Sequence, residues 1–366
     1  MKKIFIAIVA LAAATACSNS EIVSVNREAI AFDNAFVNNS TRSVIDPSYK
    51  YDTKMFADFA VYGFVSADNQ APAAIFNGTQ VVGPNWTYEG TQYWIDEADY
   101  TFHAVAPLTS GNWTNAVATT EGVSLTFNNT IANGAFKGEN DLLYATNDYG
   151  EYNYVEGTAV DKVGFNFRHV LSKVKFSFKN TYNASNTKLA VKNIFIKNAY
   201  ETANVALTAN NTVWSDHINP TLELQFQSAG TTQSGGRVVP TKLALNEEAE
   251  SFYELLIIPG AVPTFVNTDG DTVTGYKVVF AVDVYVNDTL VKTYDHEVAA
   301  NFIPVAGYSY DLKAEINHEN LDPEQAQEAI EFTVTNVIDW DKDHDGKENT
   351  ADGDTDGDDQ VDTVIP

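Results

Sequence analysis

The chain alternates. In KVKFSFKN (Lys173 to Asn180), Val174, Phe176 and Phe178 fall on one face, and Lys173, Lys175, Ser177 and Lys179 on the other. Successive side chains of an extended backbone point to opposite sides, so a period of two marks a strand with one face in a core. LELQFQ (Leu222 to Gln227) repeats the pattern. VDVYVNDTLVKTY reads as two strands around a turn at Asn287-Asp288, and VNTDGDTVTGYKVVF places an Asp269-Gly270 turn ahead of a strand from Tyr276. FADFAVYGFV, YTFHAVAP, GVSLTF and VGFNFRHV add strands in the first half. Many short strands with turn residues between them predict an all-β protein built of β-sandwiches. One stretch carries helical signal: in LDPEQAQEAI, Asp322 is placed to cap and Pro323 to occupy the first turn, which predicts one short helix. No exact internal repeat stands out.

Composition agrees. Apolar residues make up 44% of the 366, enough for real cores, and 18 Tyr and 21 Phe suit strands. The net charge of −27 excludes nucleic acid as a partner, because phosphates demand a basic patch.

The N-terminus, MKKIFIAIVALAAATACSNSE, has a basic start at Lys2 and Lys3 and an apolar run from Ile4 to Ala16. A membrane-spanning helix needs roughly 20 residues, so this shorter run fits a secretory signal peptide. Ala14, Thr15 and Ala16 are small, as cleavage requires, and they precede Cys17, the only cysteine. A lone thiol closes no intramolecular disulfide. A cysteine in this place resembles a bacterial lipobox, although Ala14 stands where leucine is usual. The resemblance implies that Cys17 becomes an acylated N-terminus. An ordinary signal peptide with an incidental cysteine is the alternative.

Several patterns in order resemble the fimbrillin family, the lipoprotein pilins of Bacteroides-type bacteria. They are the lipobox-like start, the strand EAIAFDNAF followed by NNSTRS, and FAVYGFV. Then come IFNGTQVVGPNWTYEGTQYW leading to YTFHAVAP, FRHVLSKVKFSF, FIPVAGYSYDLKAEI and AIEFTVTNVIDW. The resemblance covers roughly Cys17 to Trp340. It implies two transthyretin-like β-sandwich domains, whereas the short acidic tail after Trp340 departs from the family pattern, in which the chain usually stops near its last strand. The expected divisions are a signal peptide (1–16), a lipidated propeptide with a removable strand (17–42), sandwiches over 43–200 and 201–340, and the tail (341–366).

In that family an Arg- or Lys-specific protease trims the precursor at the cell surface. The cut removes the first strand and opens a groove that a neighbouring subunit's strand fills. Arg42 is the expected cleavage site here, with Arg27 the alternative. The expected donor strand is 329–340, presenting Ile330, Phe332 and Val334 on one face; after Asn336 the alternation slips, which suggests a bulge. Permanent pairing of both strands within their own chain is the competing expectation. The implied partners are other fimbrial subunits and the outer membrane, reached through the acyl chains.

The last 26 residues hold ten acids and two lysines. Asp341, Asp343, Asp345 and Gly346 match the start of a calcium loop, continued by Asn349 and Asp352. Asp352 opens a second set with Asp354, Asp356, Gly357 and Asp358. Oxygen ligands at alternating positions suit a hard cation, so Ca²⁺ is the one expected cofactor, bound in the weak extracellular range. A like-charged, coreless segment is the alternative.

No catalytic constellation holds. His103, His169, His217, His296, His318 and His344 are dispersed, and no nucleophile elbow or nucleotide loop is present. The expected function is a structural or accessory subunit of a surface fimbria that contributes to adhesion. The alternative is a monomeric outer-membrane-anchored lipoprotein that binds a glycan or host ligand.

Overall fold

The computed structural model describes residues 28–37 and 58–339, apart from 68–69, 109–110, 130–140, 154, 156–157, 159–161, 229, 233–237 and 252. Its described residues form strands and turns with no helix, so no helix among them is long and apolar enough to cross a membrane. The protein is an all-β sandwich.

One six-stranded sheet has the order β1 (Phe32–Val37), β8 (Val163–His169), β7 (Leu143–Tyr152), β4 (Ala98–Ala106), β2 (Asp58–Ala67), β3 (Ala73–Val82). A second runs β19 (Thr289–Ala300), β18 (Tyr276–Val286), β10 (Thr187–Thr208), β6 (Gly122–Asn128), β5 (Trp113–Thr119), with β11 (Thr212–Gln225) also on β10. The third runs β14 (Glu248–Glu250), β9 (Ser172–Asn180), β20 (Tyr308–Ile316), β21 (Thr333–Asp339), with β15 (Leu255–Ile257) also on β9. Two small ribbons pair β12 (Gly230–Thr232) with β13 (Val238–Pro240), and β16 (Thr264–Val266) with β17 (Thr272–Thr274).

Two cores hold these layers. The first lies on one face of the β1-containing sheet, where Phe59, Val61, Phe102, Phe165 and Phe167 meet Trp94 from the segment between β3 and β4. The opposite face of the same sheet contributes Ala60, Tyr62, Val105 and Tyr144 to a larger core shared with the other two sheets. Strand β2 is therefore buried on both sides, which is why FAVYG reads as a near-continuous apolar run. Strand β10 is long enough to serve β18 and β6 in succession besides β11. Its first half pairs with β18 and its second half with β6, and bulges at Lys192/Phe195 and Ile196/Ala199 let it bend. The division expected near residue 200 falls inside this strand.

The alternation in β9 buries Val174, Phe176 and Phe178 as expected. Its polar face is also largely covered: Lys173 lies 3.0 Å from Glu254, and Ser177 Oγ donates to Asp311 at 2.7 Å. The hairpin at Asn287-Asp288 joins β18 and β19 with both turn residues at positive φ (48° and 61°), the backbone that asparagine and aspartate tolerate best after glycine.

The expected helix is absent, and the hydrogen bonds give the reason. Asp322 does cap, accepting from the Glu324 amide at 3.1 Å, and one turn closes from Gln325 N to Asp322 O. The next donors turn back, because the amides of Gln327 and Glu328 both give to Glu319 O. Leu321 and Ile330 are both buried, and this closed loop brings both of them into the core.

Candidate assembly site

Strand β1 stands at the end of its sheet and touches that sheet through β8 alone. The pairing is parallel, from Phe32 opposite Val163 to Val37 opposite Phe167, with a bulge between Asp33 and Ala35. Ahead of it, residues 28–30 follow a different edge, and Ala31 already meets β8. Ile30 N donates to Gln92 O, Trp94 N donates to Glu28 O, and Val163 N donates to Ala31 O. Tyr88 Oη donates to Ile30 O at 2.7 Å and accepts from Gln92 N. Burial raises the Tyr88 pKa, so this hydroxyl keeps its proton across the neutral range.

Two side chains anchor the segment. Ile30 is 1% exposed and Phe32 3%. Phe32 meets Phe59, Phe76, Tyr88 and Phe102 edge-on and stacks on Phe165, with ring centroids 5.5 to 6.3 Å apart. Burying two such side chains contributes about 3–6 kcal/mol, and each aromatic contact adds up to about 1 kcal/mol. Outside the core, Asp33 faces Lys162 at 3.6 Å on exposed side chains, a pair worth little. Withdrawal of residues 28–37 would leave a phenylalanine-lined groove bordered by the unpaired edge of β8. Such an edge readily accepts another strand.

The expected donor strand lies at the end of the third sheet. β21 pairs with β20 antiparallel, and the slip after Asn336 appears as a register shift, with Thr335 opposite Asp311 but Ile338 opposite Ser309. Ile330 is buried, and Phe332 and Val334 are half-buried against the larger core. Phe332 meets Phe176, Phe178 and Phe280 at 5.3, 5.9 and 6.2 Å. All three expected donor residues thus pack in their own chain. Cys17, Arg42 and the tail positions Asp341, Asp343, Asp345, Asn349, Asp352, Asp354, Asp356 and Asp358 lie outside the described residues. Among the described residues no group of three or more His, Cys, Asp or Glu could hold a metal ion.

Sequence reasoning found the strand around Phe32 but not its seat. The groove is lined from β2, β3, β4, β8 and the segment around Tyr88, and no local pattern gathers them.

A fimbrillin-like family model matches residues 41–340, most of the chain, and the protein belongs to that family. Membership implies a fimbrial protein of the cell surface rather than an enzyme. No curated protein matches the chain. Among solved structures, a candidate cell-adhesion protein from Bacteroides ovatus ATCC 8483 is 15% identical, with a TM-score of 0.42, covering 85% of this chain and 98% of that one. A fimbrial assembly protein from Parabacteroides distasonis ATCC 8503 is 10% identical, with a TM-score of 0.37, covering 84% and 100%. The fimbrial anchor protein Mfa2 from Porphyromonas gingivalis is 12% identical, with a TM-score of 0.27, covering 78% and 88%. At these values the assignment rests on the family model.

Proposed function

We propose that this chain is a structural or accessory subunit of a surface fimbria, joined to its neighbours by strand exchange and contributing to adhesion. It is exported as a lipoprotein held in the outer membrane through acyl chains on Cys17, and cleavage after Arg42 matures it. The observation that carries this reading is the placement of β1. It is a short edge strand, seated by two apolar side chains and a few main-chain bonds, and it lies upstream of Arg42 in sequence. A cut there removes the covalent link between β1 and the sheet it completes, so that only those contacts hold it. The Asp-rich tail then binds Ca²⁺ outside the neighbour's groove.

The test is the N-terminus of the mature surface protein, by intact mass and terminal sequencing. A start at Ser43 supports maturation and an open groove. Acylated Cys17 retained on the whole population sinks it.

One observation favours a second reading. β21 is paired with β20 and Phe332 is seated in its own core, so the chain is complete without a neighbour. That suits a monomeric, membrane-anchored binding protein for a glycan or host ligand. A single monomer band in mild detergent, with sugar-dependent stabilisation, would favour it.

A further inference from the structure

The strand in the groove and the candidate donor share a short motif. Glu28-Ala29-Ile30-Ala31-Phe32 and Glu328-Ala329-Ile330-Glu331-Phe332 differ at one position. We propose that the motif sets the register of assembly with a second copy of this chain. Once β1 has left, Ile330 of the incoming copy takes the seat of Ile30 and Phe332 that of Phe32. The proposal rests on the strand-exchange reading and specifies its partner and alignment.

Four features support it. The two side chains that hold β1 are repeated at the same spacing, so the seats are refilled at equal volume without cavity or overpacking. Both copies of the phenylalanine already sit against phenylalanine rings: Phe32 against Phe59, Phe76, Phe102 and Phe165, and Phe332 against Phe176, Phe178 and Phe280. The groove holds residues 28–31 through main-chain groups, which any extended segment supplies. The one differing position tolerates the change, since Ala31 is only half-buried and Glu331 is exposed in its own chain.

At this motif the donor gives up the packing of buried Ile330 and of Phe332 against Phe176, Phe178 and Phe280, but no bonds of the β21–β20 ladder. Pairing of β21 with β20 begins at Thr333, so Ala329 to Phe332 lie ahead of that ladder. After the motif the sequences diverge. Asp33, which faces Lys162, corresponds to Thr333, so the apolar pair sets the register and charge does not.

Register can be read by disulfide trapping. Asp33 lies opposite Gly164, and a Cβ added at Gly164 would meet only Asp33 O, at 3.9 Å. In a Cys17→Ser full-length chain, Gly164→Cys is combined with Thr333→Cys. The protein is cut after Arg42 with an arginine-specific protease, the cut is verified by terminal sequencing, and the product is oxidised. Directly opposed strand residues lie within disulfide reach. The expected result is a ladder that survives boiling and collapses on reduction, with loss of the ladder when Gly164→Cys is combined with Glu331→Cys. Linking through Glu331→Cys, or heat-labile multimers that link through neither pair, overturns the register and leaves strand exchange standing. A cut chain without the cysteines that forms no multimers overturns both.

Discussion

Phe32 of β1 stacks on Phe165 of β8 with ring centroids 5.9 Å apart and planes inclined by 21°. One ring lies upstream of Arg42 and the other downstream, so this contact holds together two parts of the chain that a cut at Arg42 would separate. Phe165 is 2% exposed with Phe32 packed against it. A lasting gap would place an aromatic cluster in water.

Phe32→Ala should cost about 3–5 kcal/mol, the usual range for emptying a buried phenylalanine seat. Denaturant unfolding of the full-length chain measures it. A loss below about 1 kcal/mol would show that β1 is held by its main chain alone.

Two glycines make a matched pair. A Cβ at Gly122 would lie 1.9 Å from Leu207 O, which forces β6 and β10 apart, whereas Gly164 has room. Gly122→Ala should destabilise by about 3 kcal/mol or more, and Gly164→Ala should change little. Comparable midpoints for the two variants would contradict the close approach of β6 to β10.

Acid should weaken the fold through two histidines. His103 is buried, with Nε2 3.2 Å from Thr120 O and Nδ1 2.9 Å from Tyr144 Oη, a setting that suits the neutral ring. Burial lowers the pKa of His103 and of His296 below 6.5. The unfolded chain then binds more protons than the folded one below that value. Stability is therefore full above about pH 6.5 and falls as the pH drops from there toward the folded pKa. Urea midpoints between pH 7.5 and 5 should decline, and His103→Gln should flatten the slope while lowering the plateau. An unchanged slope would remove His103 from the account.

The tail can be tested by terbium luminescence. Trp340 directly precedes Asp341 and can sensitise a bound lanthanide. Calcium should displace the signal with a midpoint on the order of 10⁻⁴–10⁻³ M. Replacing Asp341 and Asp352, the first ligands of the two loops, with Ala should abolish it. A signal indifferent to both substitutions would mean that the tail only attracts cations by its charge.

The strands were legible because period-two alternation is local. It marked β2, β4, β6, β8, β9 and the β18–β19 hairpin with its Asn287-Asp288 turn. It also misled. Asp322 and Pro323 carry a true capping signal, yet the amides of Gln327 and Glu328 return to Glu319, because the segment has to deliver Ile330 to the core. Alternation separated the two faces of β9 but did not show that its polar face is covered: Lys173 is buried beside Glu254, a residue 81 positions away that β15 brings to it.

What the sequence determined by itself was the class of the protein: the all-β character, the turns, the acidic balance and the strand ahead of Arg42. The tertiary structure alone decided which strands became neighbours. β1 lies parallel to β8, β9 lies parallel to β20, and β10 crosses between two sets of partners. Alternation says that a strand has an apolar face. It cannot say which face elsewhere in the chain will cover it, because that choice is made by packing between residues far apart in sequence.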